Sequence, residues 1–197
     1  MMMKLHDAAR AIDTMAQGVD AKFTSVSTDS RSIQAGELFV ALKGENFDGH
    51  TYVADVIARG AVGAVVSQDY AAAHPDLPLI PVADTCLALG ALAARWRARF
   101  AIPLIGVTGS NGKTTVKEMC AAILRAQFGG DPDCVLATAG NFNNEIGLPL
   151  TLFKLRAWHH AAVIEMGMSH TGEIDYLTRL AAPTVALVNN AQRAHLE

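Results

Sequence analysis

Charge is scarce in this chain of 197 residues. Asp, Glu, Lys and Arg make up 18%, and 16 basic residues stand against 19 acidic ones for a formal charge of −3. Disorder needs more charge and less apolar matter than the 51% found here. Without a Lys/Arg surplus there is no electrostatic footprint for nucleic acid, so phosphate chemistry has to come from a local site. Aromatic residues are also few, at 6%, and with 16 glycines they exclude collagen-like and disulfide-scaffold classes. The three cysteines, Cys86, Cys120 and Cys134, form no C-x-x-C pair and read as reduced, buried thiols. No apolar run approaches the ~18 residues of a spanning helix, and the start, Met1 to Asp7, lacks a signal-peptide segment. The expectation is a globular, cytoplasmic protein without membrane insertion, in one domain or two small ones.

The first part reads as a small α/β unit. Leu5, Ala8, Ala9, Ile12 and Met15 recur at helical spacing over 4–16. Short strands follow at 25–27 and 37–42, then a helix around Tyr52 to Ile57 that Gly60 ends, then strands at 63–66 and 79–82. The polar, Pro-containing stretch 67–78 reads as a connection. Asp84 is a candidate N-cap for a long Ala/Leu helix to about Arg99, and its arginines, Arg95, Arg97 and Arg99, read as a solvated C-terminal end. The domain boundary is placed at its start, giving 1–83 and 84–197. Beyond it strands and helices alternate: strand 102–107, helix 114–127, strand 134–138, a Pro149-led helix 149–155, strand 161–166, helix 172–181, strand 184–189. Continuously apolar strands such as Ala161-Ala162-Val163-Ile164 fit a mostly parallel sheet covered by helices.

The strongest chemical signal is Gly106-Val107-Thr108-Gly109-Ser110-Asn111-Gly112-Lys113-Thr114-Thr115, set between an apolar strand and an apolar-periodic helix. A glycine-rich turn lets backbone N–H groups converge on phosphate oxygens, and the helix start adds partial positive charge. Lys113 would reach the β/γ-phosphates of ATP, and the Thr114 hydroxyl would ligate Mg²⁺. Val107 stands where the phosphate-loop pattern has its first glycine. Glu165 ends another apolar strand, where a carboxylate can hold Mg²⁺. Thr138 also stands at a strand end, and His195 follows the last strand; both are weak signals alone. The remaining histidines show no zinc spacing. Two polar clusters, Thr28-Asp29-Ser30-Arg31 and Asn141-Phe142-Asn143-Asn144-Glu145, fit either turn and cap formation or substrate recognition.

Thr108 to Thr115 resembles the ATP-binding loop of the Mur ligase family, the ATP-dependent amide ligases of peptidoglycan precursor synthesis. Thr28 to Arg31 and Gly36 to Gly44 look like that family's N-terminal nucleotide-sugar domain, while Val188-Asn189-Asn190 with Ala194 to Glu197 fits the D-alanyl-D-alanine-adding member. Gly140 to Thr151 is most similar to the member that joins D-alanyl-D-alanine to UDP-N-acetylmuramoyl-tripeptide. The resemblance implies a UDP-sugar domain over 1–83 and an incomplete P-loop domain over 84–197, with a C-terminal domain absent. It further implies that the chain is a fragment inactive by itself, and that the protein is a monomer. Carried over by position, it implies Gly109, Ser110, Asn111, Gly112, Lys113, Thr114 and Thr115 on ATP, and Thr114, Thr138 and Glu165 around one Mg²⁺. It also implies His195 at a second Mg²⁺, Asn141, Asn143 and Asn144 along the muramoyl-peptide, and Ser30 and Arg31 near the uridine diphosphate. The alternatives are the ligase that adds the third stem residue, a folylpolyglutamate-type ligase, and a nucleotide-binding regulatory module.

Overall fold

Short β-branched and alanine-rich runs, bounded by glycine or polar turns, form the parallel strands that organise both halves of a computed structural model, which describes residues 1–192. The chain divides into two compact units, Met1–Leu92 and Ala93–Glu197.

In the first unit, β1 (Met3–Lys4) pairs antiparallel with β2 (Lys22–Phe23), a ribbon too short to be read from alternation. Helix α1 spans only Leu5–Ala11, shorter than the predicted 4–16, because Ile12, Asp13 and Thr14 fold their N–H groups back onto Ala9 and Arg10 carbonyls. The main sheet is fully parallel in the order β3 (Val26–Ser27), β4 (Leu38–Val40), β5 (Gly63–Ser67), β6 (Leu79–Val82). Helix α2 (Val53–Ala58) joins β4 to β5. The stretch 67–78, expected as a bare connection, contains α3 (Gln68–Ala73), whose N-cap Ser67 hydroxyl accepts from the Tyr70 N–H. Six residues are too few for a helical period to stand out. Phe39, Val53, Val56, Ala64, Val66 and Leu79 form the unit's core.

Helix α4 (Thr85–Arg97) is opened by Asp84, whose carboxylate accepts from the Cys86 and Leu87 N–H groups, and the division between units falls inside it. Arg97 corrects the reading of a solvated helix end. It is 6% exposed and donates to the carbonyls of Phe100, Ile102, Ala181 and Ala182, and burial pulls its guanidinium pKa below the ordinary value. A buried arginine is tolerated where its fixed fork finds such acceptors. Of the thiols, Cys134 is buried and Cys86 and Cys120 are half-buried.

The second unit alternates β7 (Leu104–Thr108), α5 (Lys113–Gln127), β8 (Val135–Ala137), α6 (Gly147–Leu152), β9 (Ala161–Glu165), α7 (Glu173–Ala181) and β10 (Val185–Val188). Helix α6 starts two residues before Pro149, which therefore sits in its first turn, where a missing N–H costs no intrahelical bond. The sheet is again parallel, in the order β10-β7-β9-β8. This mixed α/β architecture with mostly parallel sheets is the fold class expected from the sequence. Every residue of β9 is buried, and Val107, Ala121, Val135 and Val163 share its core. Leu104 is fully buried on β7. Leu104→Ala is expected to cost about 2–5 kcal/mol, the range for a buried leucine truncation, measured as a fall in the urea midpoint.

Candidate nucleotide site

Parallel strands end together, and the second sheet brings the carboxyl ends of β7, β8, β9 and β10 to one edge. The strand order switches direction around β7, and ligands of open α/β sheets collect at such a point. Val107 pairs with Glu165 across β7 and β9, so the loop after Thr108 and the carboxylate of Glu165 emerge side by side.

The loop 109–112 leads into α5 through Gly112, whose φ of 75° lies in the left-handed region; a Cβ there would stand 2.7 Å from Asn189 Nδ2. Helix α5 has no side-chain N-cap. Its first-turn N–H groups and the positive end of its dipole are what binds phosphate at helix N-termini. Asparagines beyond β10 hold the loop in shape. Ser110 N–H donates to Asn190 O at 3.1 Å, Asn111 N–H to Asn190 Oδ1 at 3.0 Å, and Asn189 Nδ2 to Asn111 O at 2.7 Å. The Ser110 hydroxyl donates to Gln192 O at 2.7 Å. Lys113 Nζ donates back to Gly109 O at 2.8 Å.

Glu165 is 2% exposed. Its Oε2 accepts from the Thr114 hydroxyl at 2.9 Å and its Oε1 from Asn143 Nδ2 at 2.8 Å, while its own N–H donates to Thr138 Oγ1 at 2.9 Å. Among the described residues no cation pairs with this carboxylate. A buried carboxylate facing only neutral donors fits a cation, and its companions, the Thr114 and Thr138 hydroxyls, are oxygen donors of the kind Mg²⁺ takes. No three His, Cys, Asp or Glu side chains converge on a common point among the described residues.

Lys117 carries no signal that sequence reasoning caught. One turn beyond Lys113 it looks like a solvated lysine, yet its side chain is 1% exposed. Its Nζ donates to Thr138 O at 2.7 Å and lies 2.6 Å from Glu118 Oε1. A buried ammonium is costly unless partnered, and here it fixes the backbone of Thr138.

The other sequence-predicted residues divide. Asn143 sits on Glu165, but Asn144 Oδ1 accepts from the Ile146 and Gly147 N–H groups and opens α6, a capping role. Asn141 and Thr115 are exposed. His195 lies outside the described residues. In the first unit, Thr28, Asp29, Ser30 and Arg31 line a cavity of about 520 Å³ together with Phe39, Leu42, Phe47 and Tyr52. Arg31 donates twice to Asp29, at 2.9 and 2.8 Å, and this guanidinium with the Arg31 N–H holds the Asp29 carboxyl down to about 2. His50 donates from Nδ1 to Asp48 at 2.6 Å and accepts the Ser67 N–H at Nε2, which fixes the neutral tautomer.

Residues 22–97 match the family described as Mur ligase family, catalytic domain, and residues 107–197 match the Mur ligase middle domain. Similar curated proteins are the UDP-N-acetylmuramoyl-tripeptide--D-alanyl-D-alanine ligases of Escherichia coli and Haemophilus influenzae. The former is 48% identical over 92% of this chain and 38% of its own length, the latter 46% identical over 87% and 37%. The chain thus spans under two fifths of these relatives. Among solved structures, MurF from Acinetobacter baumannii superposes with a TM-score of 0.88 at 38% identity, over 98% of this chain and 42% of that one. The Thermotoga maritima MurF ligase in complex with ADP gives 0.73 at 32% identity, over 88% and 39%.

Two outcomes are expected from this geometry. Thr138→Val leaves the buried Glu165 N–H without an acceptor, at a cost of about 1–3 kcal/mol in chemical denaturation, and Thr138→Ser recovers most of it. Asp29 titrates by NMR near pH 2, and Arg31→Ala returns it toward 3.8. Since the fold depresses this pKa, the pair's contribution is complete above 3.8 and is lost as the pH falls through about 2.

Proposed function

The chain belongs to the Mur ligase family, and from that membership we propose that it is the UDP-sugar and phosphate-binding portion of a ligase joining D-alanyl-D-alanine to UDP-N-acetylmuramoyl-tripeptide. The observation that carries this is the junction of the Gly109–Lys113 loop with a buried Glu165 held by Thr114 and Thr138. The chemistry needed is activation of a carboxylate, which is a poor acyl donor. The tripeptide's terminal carboxylate oxygen bonds to the γ-phosphorus of ATP as the bond to ADP breaks, and the dipeptide amine then displaces phosphate from the acyl-phosphate, giving up a proton.

In this reading the uncapped start of α5 and the Lys113 ammonium hold the phosphates and oppose the charge that develops on them. Thr114, Thr138 and Glu165 would hold Mg²⁺, which supplies positive charge between the anionic reactants. His195 is proposed at a second Mg²⁺. Ser30 and Arg31, in the cavity of the first unit, would take the uridine diphosphate, with Phe47 and Tyr52 offering aromatic surface. Asn141 and Asn143 would serve the muramoyl-peptide. The cytoplasm, where ATP and nucleotide-sugars are available, is the proposed location, and a monomer the proposed state.

Calorimetric titration of the 197-residue chain tests this. UDP-N-acetylmuramoyl-tripeptide is expected to bind more tightly than its dipeptide form, and equal or inverted affinity overturns the choice of substrate. UDP should bind weakly through the first unit, whereas a regulatory module would bind ATP without UDP. Lys113→Ala is expected to weaken Mg²⁺·ADP by about 1.5–3 kcal/mol, tenfold or more, since it removes a charged donor. An unchanged affinity would show that the loop is not the phosphate site. Ligation by this chain alone is expected to be absent, because the amine must be held in line and ~1 Å of misplacement already costs about a hundredfold.

A further inference from the structure

The two groups bonded to Glu165 are chemically unequal. The Thr114 hydroxyl on Oε2 carries lone pairs as well as a proton, so it can turn and present oxygen to a cation without leaving the carboxylate. Asn143 Nδ2 on Oε1 has only protons to offer, and a divalent ion arriving there faces a donor that repels it. The Asn143 side chain must therefore leave Oε1 when a cation takes that oxygen.

That side chain is tied to a loop. Asn143 O accepts from Gly167 N at 2.8 Å, two residues beyond Glu165, and Asn143 N donates to Asn141 O at 2.8 Å. Gly167 is what allows the approach, because a Cβ there would stand 3.0 Å from Asn143 Cγ and Nδ2. The next residue, Asn144, caps α6. Segment 139–146 thus runs from the end of β8 to α6, and its side-chain attachment to the β9 edge is Asn143 on Glu165.

We propose that Asn143 is a cation-sensitive latch. It holds segment 139–146 against Glu165 while that carboxylate carries no divalent ion, and it releases when an ion binds, freeing its carboxamide donors for an anionic group of the acyl substrate. By linkage the effect is reciprocal: the latch weakens the cation as much as the cation loosens the latch. The proposal rests on the reading of Glu165 as the divalent-cation carboxylate of the nucleotide site.

The sign of one measurement separates this from its competitors. Asn143→Ala removes the group that competes with the cation, so calorimetry with ADP and Mg²⁺ should find binding tightened by about tenfold, the scale of a hydrogen bond to a charged group. Amide exchange across 139–146 should respond to Mg²⁺·ADP in the wild type and not in the variant. Were Asn143 instead a cation ligand through Oδ1, or a structural residue only, affinity would fall or stay level, and either result overturns the proposal. A measurement on the wild type guards against a variant that fails to fold. The Asn143 side-chain NH₂ resonances are expected to shift on adding Mg²⁺ to the ADP-loaded chain, and unmoved resonances overturn the latch even where Mg²⁺·ADP binds. Failure of Mg²⁺·ADP to bind the wild type at millimolar concentration defeats the nucleotide reading itself, and the latch with it.

Discussion

The pairing of Val107 with Glu165 is the constraint on which the second unit's candidate site depends. Two adjacent parallel strands end level, so a residue that closes one strand stands beside the loop that leaves the other. Glu165 needs no long side-chain reach to meet Thr114. The backbone register delivers it, and Thr138 Oγ1 fixes the Glu165 N–H from the far side. Because β9 is wholly buried, the carboxylate is delivered into a place where charge is expensive. Its donors are neutral, and the buried ammonium of Lys117 serves the carbonyl of Thr138. The fold thus keeps a buried carboxylate among neutral donors, an arrangement that comes at some cost to stability.

Preorganisation follows from the same edge. The loop 109–112 keeps its shape through Asn189 and Asn190, side chains and backbone that follow β10. The Ser110 and Asn111 N–H groups are spent on Asn190 in doing so, which sets the shape of the loop within the protein itself. The arrangement also makes the loop depend on the position of a strand whose Val185 and Val188 are more than half exposed.

Sequence pattern made the α/β class and the strand-loop-helix order readable, because continuous apolar strands and a Gly-Lys-Thr-Thr turn are local signals. Thr138 and Glu165 could be singled out as strand ends, and the structure brings both into one hydrogen-bonded group with Thr114. Other features depend on neighbours remote in sequence. Lys117 is buried with its ammonium on the carbonyl of Thr138, 21 residues away, and Arg97 is drawn inward by carbonyls at 181 and 182. Short elements such as β1, β2 and α3 carry too few residues for a period to show. Asn143 and Asn144 look alike in sequence and differ only in what the fold sets against each.

That last contrast bears on how one loop serves two ends. Asn144 spends its side chain on the backbone of α6, a bond with no alternative partner in view and therefore a fixed point. Asn143 spends its side chain on a carboxylate that a divalent ion would claim, so its bond is conditional. A segment fixed at one residue and conditional at the next can change state without unfolding, since only a single side-chain bond differs between the two arrangements. The energy at stake is that of one charge-assisted hydrogen bond, about 1.5–3 kcal/mol, which is the size of coupling that binding sites ordinarily exchange. A tighter clamp would hold the cation off, and a looser one would leave the segment insensitive to it.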